Sequence, residues 1–206
     1  MNLPLAGALI IAGYLIGSVP PAFLMGKFVG GIDIRQHGSG NVGATNVLRT
    51  LGLGPSVVVF ALDFFKGAAP TWLAWQLSGS LLVAALAALA AVAGHNWPVF
   101  LNFKGGKGVT TSLGALLVLL PVVGLLVLLA GVGLIAVTRY VSLGSVVAAV
   151  LLPFAAVAWV ALGGPPESLV YCLVASPMGI YRHRANIRRL LAGTESKLGQ
   201  RVAVRR

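Results

Sequence analysis

Three short polar segments and one basic terminus hold nearly all the residues able to do chemistry. The first, "QHGSGNVGATNVLR" from Gln36 to Arg49, carries Gly38, Gly40 and Gly43 in the spacing G-x-G-x-x-G. Glycines let successive backbone N–H groups point into one concavity, the geometry that cradles phosphate. Ser39, Asn41, Thr45 and Asn46 add side-chain donors, and Arg49 can clamp a phosphate through two nitrogens. The second, "GHNWPVFLNFKGGKGVTTSLG", places Lys104, Gly105, Gly106 and Lys107 directly before a helix start, so two cations stand beside open helix N–H groups. His95 in the same segment is either a helix-end residue bonded to backbone or a proton acceptor. The third, "TRYVSLGSV", sets Ser142 near another helix start, as N-cap, as ligand, or as both. Beyond the last apolar run lie His183, Arg184 and Asn186, in a stretch whose charge also suits anionic lipid headgroups.

So many donors at one face suit two phosphorylated groups, or a dianionic substrate plus a leaving phosphate, better than one phosphate. The glycine spacing alone also fits a dinucleotide site, with Asp63 twenty residues past Gly43 where a ribose ligand would sit. That reading needs a strand before Gly38, and none is expected there. A Walker A loop needs Gly six residues before its Lys and Ser or Thr after it, but Leu101 and Gly108 flank Lys107 at those places. No carboxylate pair, metal-ligand cluster or Ser-His-Asp set is evident, so neither metal nor cofactor is expected and any reaction must use an activated substrate. The single cysteine, Cys172, rules out a disulfide framework.

The elements that position these segments are membrane helices. Of 206 residues 58% are hydrophobic and 9% charged, against roughly 25% charged in an ordinary soluble domain. The mean hydropathy is +0.95. The charges cluster between apolar runs instead of forming a basic face, which argues against nucleic acid. Apolar runs at 4–26, 53–77, 80–100, 109–121, 123–138, 143–162 and 167–181 predict an all-α polytopic fold of about seven spans. The first has no basic residue before it, so it reads as a retained span and not a cleaved signal. The run from 109 to 138 is too long for one helix, and Pro121 with Gly124 predicts a turn inside it. Seven spans place 14 of the 15 basic residues on one side. The positive-inside rule makes that side cytoplasmic, with the N-terminus outside and the C-terminus inside. The exception, Lys66, lies three residues after Asp63, and a buried pair that holds a helix contact is expected. Residues 1–193 then form one membrane domain, and 194–206 a disordered basic cytoplasmic tail.

The segments "GSGNVGATNVLR", "GHNWPVFLNFKGGKGVTTSLG", "SLGS" and "HRANIRRL" resemble the bacterial integral-membrane glycerol-3-phosphate acyltransferases that use acyl phosphate as donor. The resemblance covers nearly the whole chain, and the two long motifs carry most of it. Ala185 departs from a position often acidic in that family. The resemblance implies transfer of a fatty acyl group from acyl phosphate to the sn-1 hydroxyl of glycerol 3-phosphate, giving lysophosphatidic acid and phosphate. It implies a multi-pass protein of the bacterial inner membrane, active as a monomer, with its site on the cytoplasmic side. In that reading Ser39, Asn41, Thr45 and backbone from Gly40 to Gly43 hold one phosphate. Arg49, Lys104 and Lys107, with Gly105 and Gly106, neutralise the other, while Ser142, His183 and Asn186 orient glycerol 3-phosphate. Acyltransferases built on His-x4-Asp are excluded, since Val42, Phe100 and Arg188 stand five residues after the three histidines. A carrier of organic phosphates would also use cationic loops, but it predicts inverted repeats, and none is evident.

Overall fold

In a membrane every backbone polar group must find a partner within its own segment, so apolar runs become helices. The computed structural model describes residues 2–200, and among them ten α-helices follow one another. They are α1 (Leu3–Ser18), α2 (Pro21–Gly30), α3 (Ala44–Thr50), α4 (Leu53–Ser78) and α5 (Leu81–Asn96), then α6 (Val109–Leu119), α7 (Pro121–Thr138), α8 (Val141–Ala161), α9 (Ser168–Arg182) and α10 (Arg184–Leu191). All seven apolar runs are helical. Five stretches are long and apolar enough to cross a membrane: Leu3–Gly30, Leu53–Ser78, Leu81–Leu101, Pro121–Thr138 and Val141–Ala161. With 11 and 15 residues, α6 and α9 rise only about 16 and 22 Å against a hydrocarbon core of about 30 Å.

Three expectations need correction. The first span is broken, because Pro20 and Pro21 lack N–H donors and α1 gives way to α2 between them. The 109–138 run does divide, but only Leu120 leaves helical geometry, at φ −146° and ψ 69°. Pro121 starts α7, where its fixed φ suits a first turn, and Gly124 lies inside that helix. Finally, residues 194–200 are not a free tail. Glu195 is buried, and the Leu198 N–H donates to the Arg139 carbonyl at 2.7 Å. Residues 201–206, the rest of the expected tail, lie outside the described residues.

Helix α5 is central and packs against α1, α4, α6 and α9. Its alanines Ala84, Ala85, Ala87, Ala88 and Ala91 are fully enclosed. Lipid gives helices no hydrophobic drive to associate, so small residues and close contact hold them. A Cβ on Gly17 would collide with the Ala91 carbonyl, and one on Gly114 with the Phe64 carbonyl. Thus α1–α5 and α4–α6 meet backbone to backbone. Phe60, Phe65, Leu126, Leu129 and Phe154 face outward, a surface that suits acyl chains and not water. A second core of Ala22, Ile32, Ile34, Val42, Val47 and Val59 seats the first polar loop.

Candidate active site

The first glycine loop is tied by one side chain. Asn46 on α3 is buried; its Oδ1 accepts from the Ser39 N–H at 2.8 Å. Its Nδ2 reaches the carbonyls of Ile34, His37 and Asn41 at 3.1, 3.0 and 3.0 Å. Expected as a substrate donor, Asn46 instead spends its amide on the loop. Gly38 takes φ +60° beside it, and a Cβ there would collide with Asn46 Oδ1. Ser39 is left exposed, with Gly40, Asn41, Gly43 and Thr45 partly exposed. Arg49 ends the same short helix; its Nη2 donates to the Ser196 carbonyl at 3.2 Å, while its buried Nε has no partner among the described residues.

The second loop is held from outside. The Gly106 N–H donates to the His95 carbonyl at 3.0 Å. Arg182 donates from Nε to the Gly106 carbonyl and from Nη2 to the Gly105 carbonyl, both at 2.8 Å. A Cβ on Gly106 would strike the His95 ring and the Val42 carbonyl. Gly108, at φ +75°, precedes α6, which has no side-chain cap, so its first-turn N–H groups stay open to an anion. Lys107 lines the adjoining cleft; Lys104 is exposed and does not.

Beneath this loop lies the expected Asp63–Lys66 pair, at 2.8 Å, with a third member. His95 Nδ1 is 3.4 Å from Asp63 Oδ1 and 3.2 Å from Thr111 Oγ1, and Lys66 Nζ donates to the Val19 carbonyl at 2.8 Å. The His95 side chain thus braces the start of α6 from below. It bonds side chains, where a helix-end histidine was expected to bond backbone.

Glu195 joins the C-terminal residues to α8. Its Oε1 accepts from Ser142 Oγ and Asn186 Nδ2, both at 2.7 Å, and its Oε2 from Arg189 Nε at 2.6 Å. Ser142 is therefore not an N-cap; Tyr140 holds that place. Burial alone would raise the Glu195 carboxyl, but these donors outweigh it and hold it below its usual range. Burial pushes Lys107 from 10.5 down to about 8; Arg189, Arg49 and Arg182 push the same way and Glu195 opposes. Burial, then the Lys107 charge, lowers His183 to about 4. The neutral ring donates from Nδ1 to the Gly179 carbonyl at 2.8 Å, which leaves Nε2 as an acceptor. Arg189 pairs with Glu195, and Arg49 and Lys107 also feel its charge, so three cations share one carboxylate, an arrangement that wants anions.

Lys107, Ser145 and His183 border the mouth of a cleft walled by α6, α7, α8 and α9, with Val92 of α5 at its back and a volume of about 150 Å³. Its interior is apolar, reaching Leu116, Gly124 and Leu152. An anion site at the mouth of a greasy cleft fits a molecule with a charged head and a hydrocarbon tail. The sequence profile of glycerol-3-phosphate acyltransferases matches residues 7–193. The chain belongs to that family. The acyltransferase is 46% identical to a glycerol-3-phosphate acyltransferase of Shouchella clausii, over 95% of this chain and 97% of the relative. It is 48% identical to glycerol-3-phosphate acyltransferase 2 of Moorella thermoacetica, over 94% and 97%. It is also similar to the crystal structure of PlsY (YgiH), an integral membrane glycerol 3-phosphate acyltransferase, in its glycerol 3-phosphate form. The TM-score is 0.86 at 43% identity, covering 94% of this chain and 96% of that one. The lysophosphatidic acid form of PlsY aligns with a TM-score of 0.84 at 42% identity, covering 95% and 96%.

Sequence reading missed Arg182, Arg189, Thr111 and Glu195. Only Glu195 left a signal, as one of four acidic residues in the chain. The arginines were lost among other basic residues, and their partners are set by packing.

Proposed function

We propose that this acyltransferase moves a fatty acyl group from acyl phosphate to the sn-1 hydroxyl of glycerol 3-phosphate, releasing lysophosphatidic acid and inorganic phosphate. The observation that carries this reading is Lys107 and His183 at the mouth of an apolar cleft, beside the open start of α6. In this reading the chain spans the inner membrane seven times, N-terminus outside and C-terminus inside, and works as a monomer from its cytoplasmic face. The acyl tail lies in the cleft and both phosphates sit among the loops.

The hydroxyl oxygen attacks the acyl carbonyl carbon. The new C–O bond forms, the bond to the phosphate oxygen breaks, and phosphate leaves. No covalent enzyme intermediate is needed, because a mixed anhydride already carries a good leaving group. Positioning and charge stabilisation supply the catalysis. Ser39, Asn41, Thr45 and the Gly40–Gly43 backbone hold one phosphate, with Asn46 fixing their geometry. Arg49 and Lys107, with Lys104 further out, offset the leaving charge. His183, with Ser142 and Asn186 held by Glu195, orients glycerol 3-phosphate and leaves the attacking hydroxyl's hydrogen facing a phosphate oxygen. A histidine near 4 is a weak base, so the proton goes to the substrate's own phosphate, whose second pKa is about 6.

The test is phosphate release by purified protein in detergent or lipid, given palmitoyl phosphate with and without glycerol 3-phosphate. Release that requires glycerol 3-phosphate and matches lysophosphatidic acid is the expected result. Equal release without the acceptor, or transfer only from acyl-CoA, would overturn the proposal.

A further inference from the structure

Helix α6, with 11 residues, is the shortest of the helices that wall the cleft. Its end coincides with the end of the cleft. From the mouth at Val109 and Ser145 the lining descends to Leu116 on α6 and Leu152 on α8, and from Ile135 to Gly124 on α7. Those registers are about 10 Å on α6 and α8 and about 16 Å on α7. Beneath them the chain reverses at Leu120, and Leu119, Leu120, Val123, Ala156 and Tyr171 are all buried in one packed cluster. The cleft has a floor.

We propose that this floor is a gauge of acyl-chain length, set by Leu116 and Leu152 above the α6–α7 turn. The inference rests on the proposed function, since the acyl tail is taken to occupy the cleft. An extended chain of sp³ atoms advances about 1.2 Å per bond, so the cleft admits about nine to thirteen carbons before its tail meets the floor. Each methylene buried above the floor improves binding several-fold. A methylene beyond it gains nothing, and must bend back or press into the Leu119–Val123 packing.

The experiment measures kcat/KM for acetyl, octanoyl, dodecanoyl and palmitoyl phosphate in the wild-type protein and in Ala148→Phe and Leu152→Ala. Acetyl phosphate reports the headgroup chemistry, because its methyl does not reach the floor. The wild-type protein is expected to gain steeply up to dodecanoyl and to level off by palmitoyl. Ala148 lines the cleft about one turn below its mouth, so Ala148→Phe should lower the palmitoyl-to-acetyl ratio at least tenfold. Leu152→Ala opens the floor and should raise the palmitoyl-to-dodecanoyl ratio about threefold. A loss common to every chain length in both variants would overturn the gauge, as would a wild-type gain that continues undiminished to palmitoyl. If Ala148→Phe fails to fold, Leu152→Ala decides alone. If the wild-type protein uses acyl-CoA and not acyl phosphate, the donor assignment falls, and the same length series as thioesters still reads the floor.

Discussion

The two glycine loops have similar composition and are built in opposite ways. The first is knotted by its own residue: Asn46 takes one N–H and three carbonyls of the loop. The second is turned by its own backbone between Pro98 and Lys104 but is not tied by a side chain of its own. His95 and Arg182 hold its backbone, the Asp63–Lys66–His95 cluster supports it from within the bundle, and its last residue opens onto α6. Damage to the first loop should therefore spread through the whole loop. Damage around the second should be graded according to which outside support is lost.

The sharpest contrast comes from removing the cation at the cleft. Lys107→Ala should lower kcat/KM about a thousandfold with little change in melting temperature, because one donor facing developing charge is worth about that factor. A change below tenfold would move the leaving phosphate away from the second loop. Next comes Asn46→Ala, which leaves one N–H and several carbonyls without a partner at about 1–3 kcal/mol for each group buried. Both the melting temperature and the rate should fall, the rate by about a hundredfold; an intact rate would show that the knot is dispensable. Arg182→Lys keeps the charge but loses the planar fork, so KM for acyl phosphate should rise about tenfold at a nearly constant kcat and melting temperature.

The pH profile tests the same loop without changing the fold. Lys107 is a cation below about 8 and neutral above it, so kcat/KM should fall about tenfold per pH unit on the alkaline side. Lys107→Arg should remove that limb. Stability runs the other way. A lysine held below its unfolded value of 10.5 opposes folding while charged, and that penalty fades as pH rises from about 8. Activity lost there without a lower melting temperature identifies titration and not unfolding. The smallest effect belongs to Thr111→Val, which takes one partner from His95 and should slow turnover about threefold.

Most of the architecture was legible because lipid restricts the choices: apolar runs must be helices. The Pro20–Pro21 break was missed because hydropathy does not register a bend, and the turn at Leu120 was displaced because proline starts a helix as readily as it ends one. The site was legible as residue types. Glycines, lysines and serines announce phosphate chemistry wherever they fall in the bundle. Their division of labour was not legible. Asn46 looks like any donor until its amide is seen to be spent, and Arg182 looks like any basic residue until it meets two carbonyls from a loop 76 residues earlier.

By itself the sequence determined the solvent, the helical class, the anionic chemistry and the resemblance to an acyltransferase, since each follows from composition or from residues adjacent in the chain. Only the tertiary structure decided that Glu195 binds Ser142 to Asn186, that His95 stands beneath the glycine loop, and that a cleft begins at Lys107 and ends above Leu120. The reason is physical. These features join residues far apart in sequence, and the contacts that select them exist only after the helices have packed.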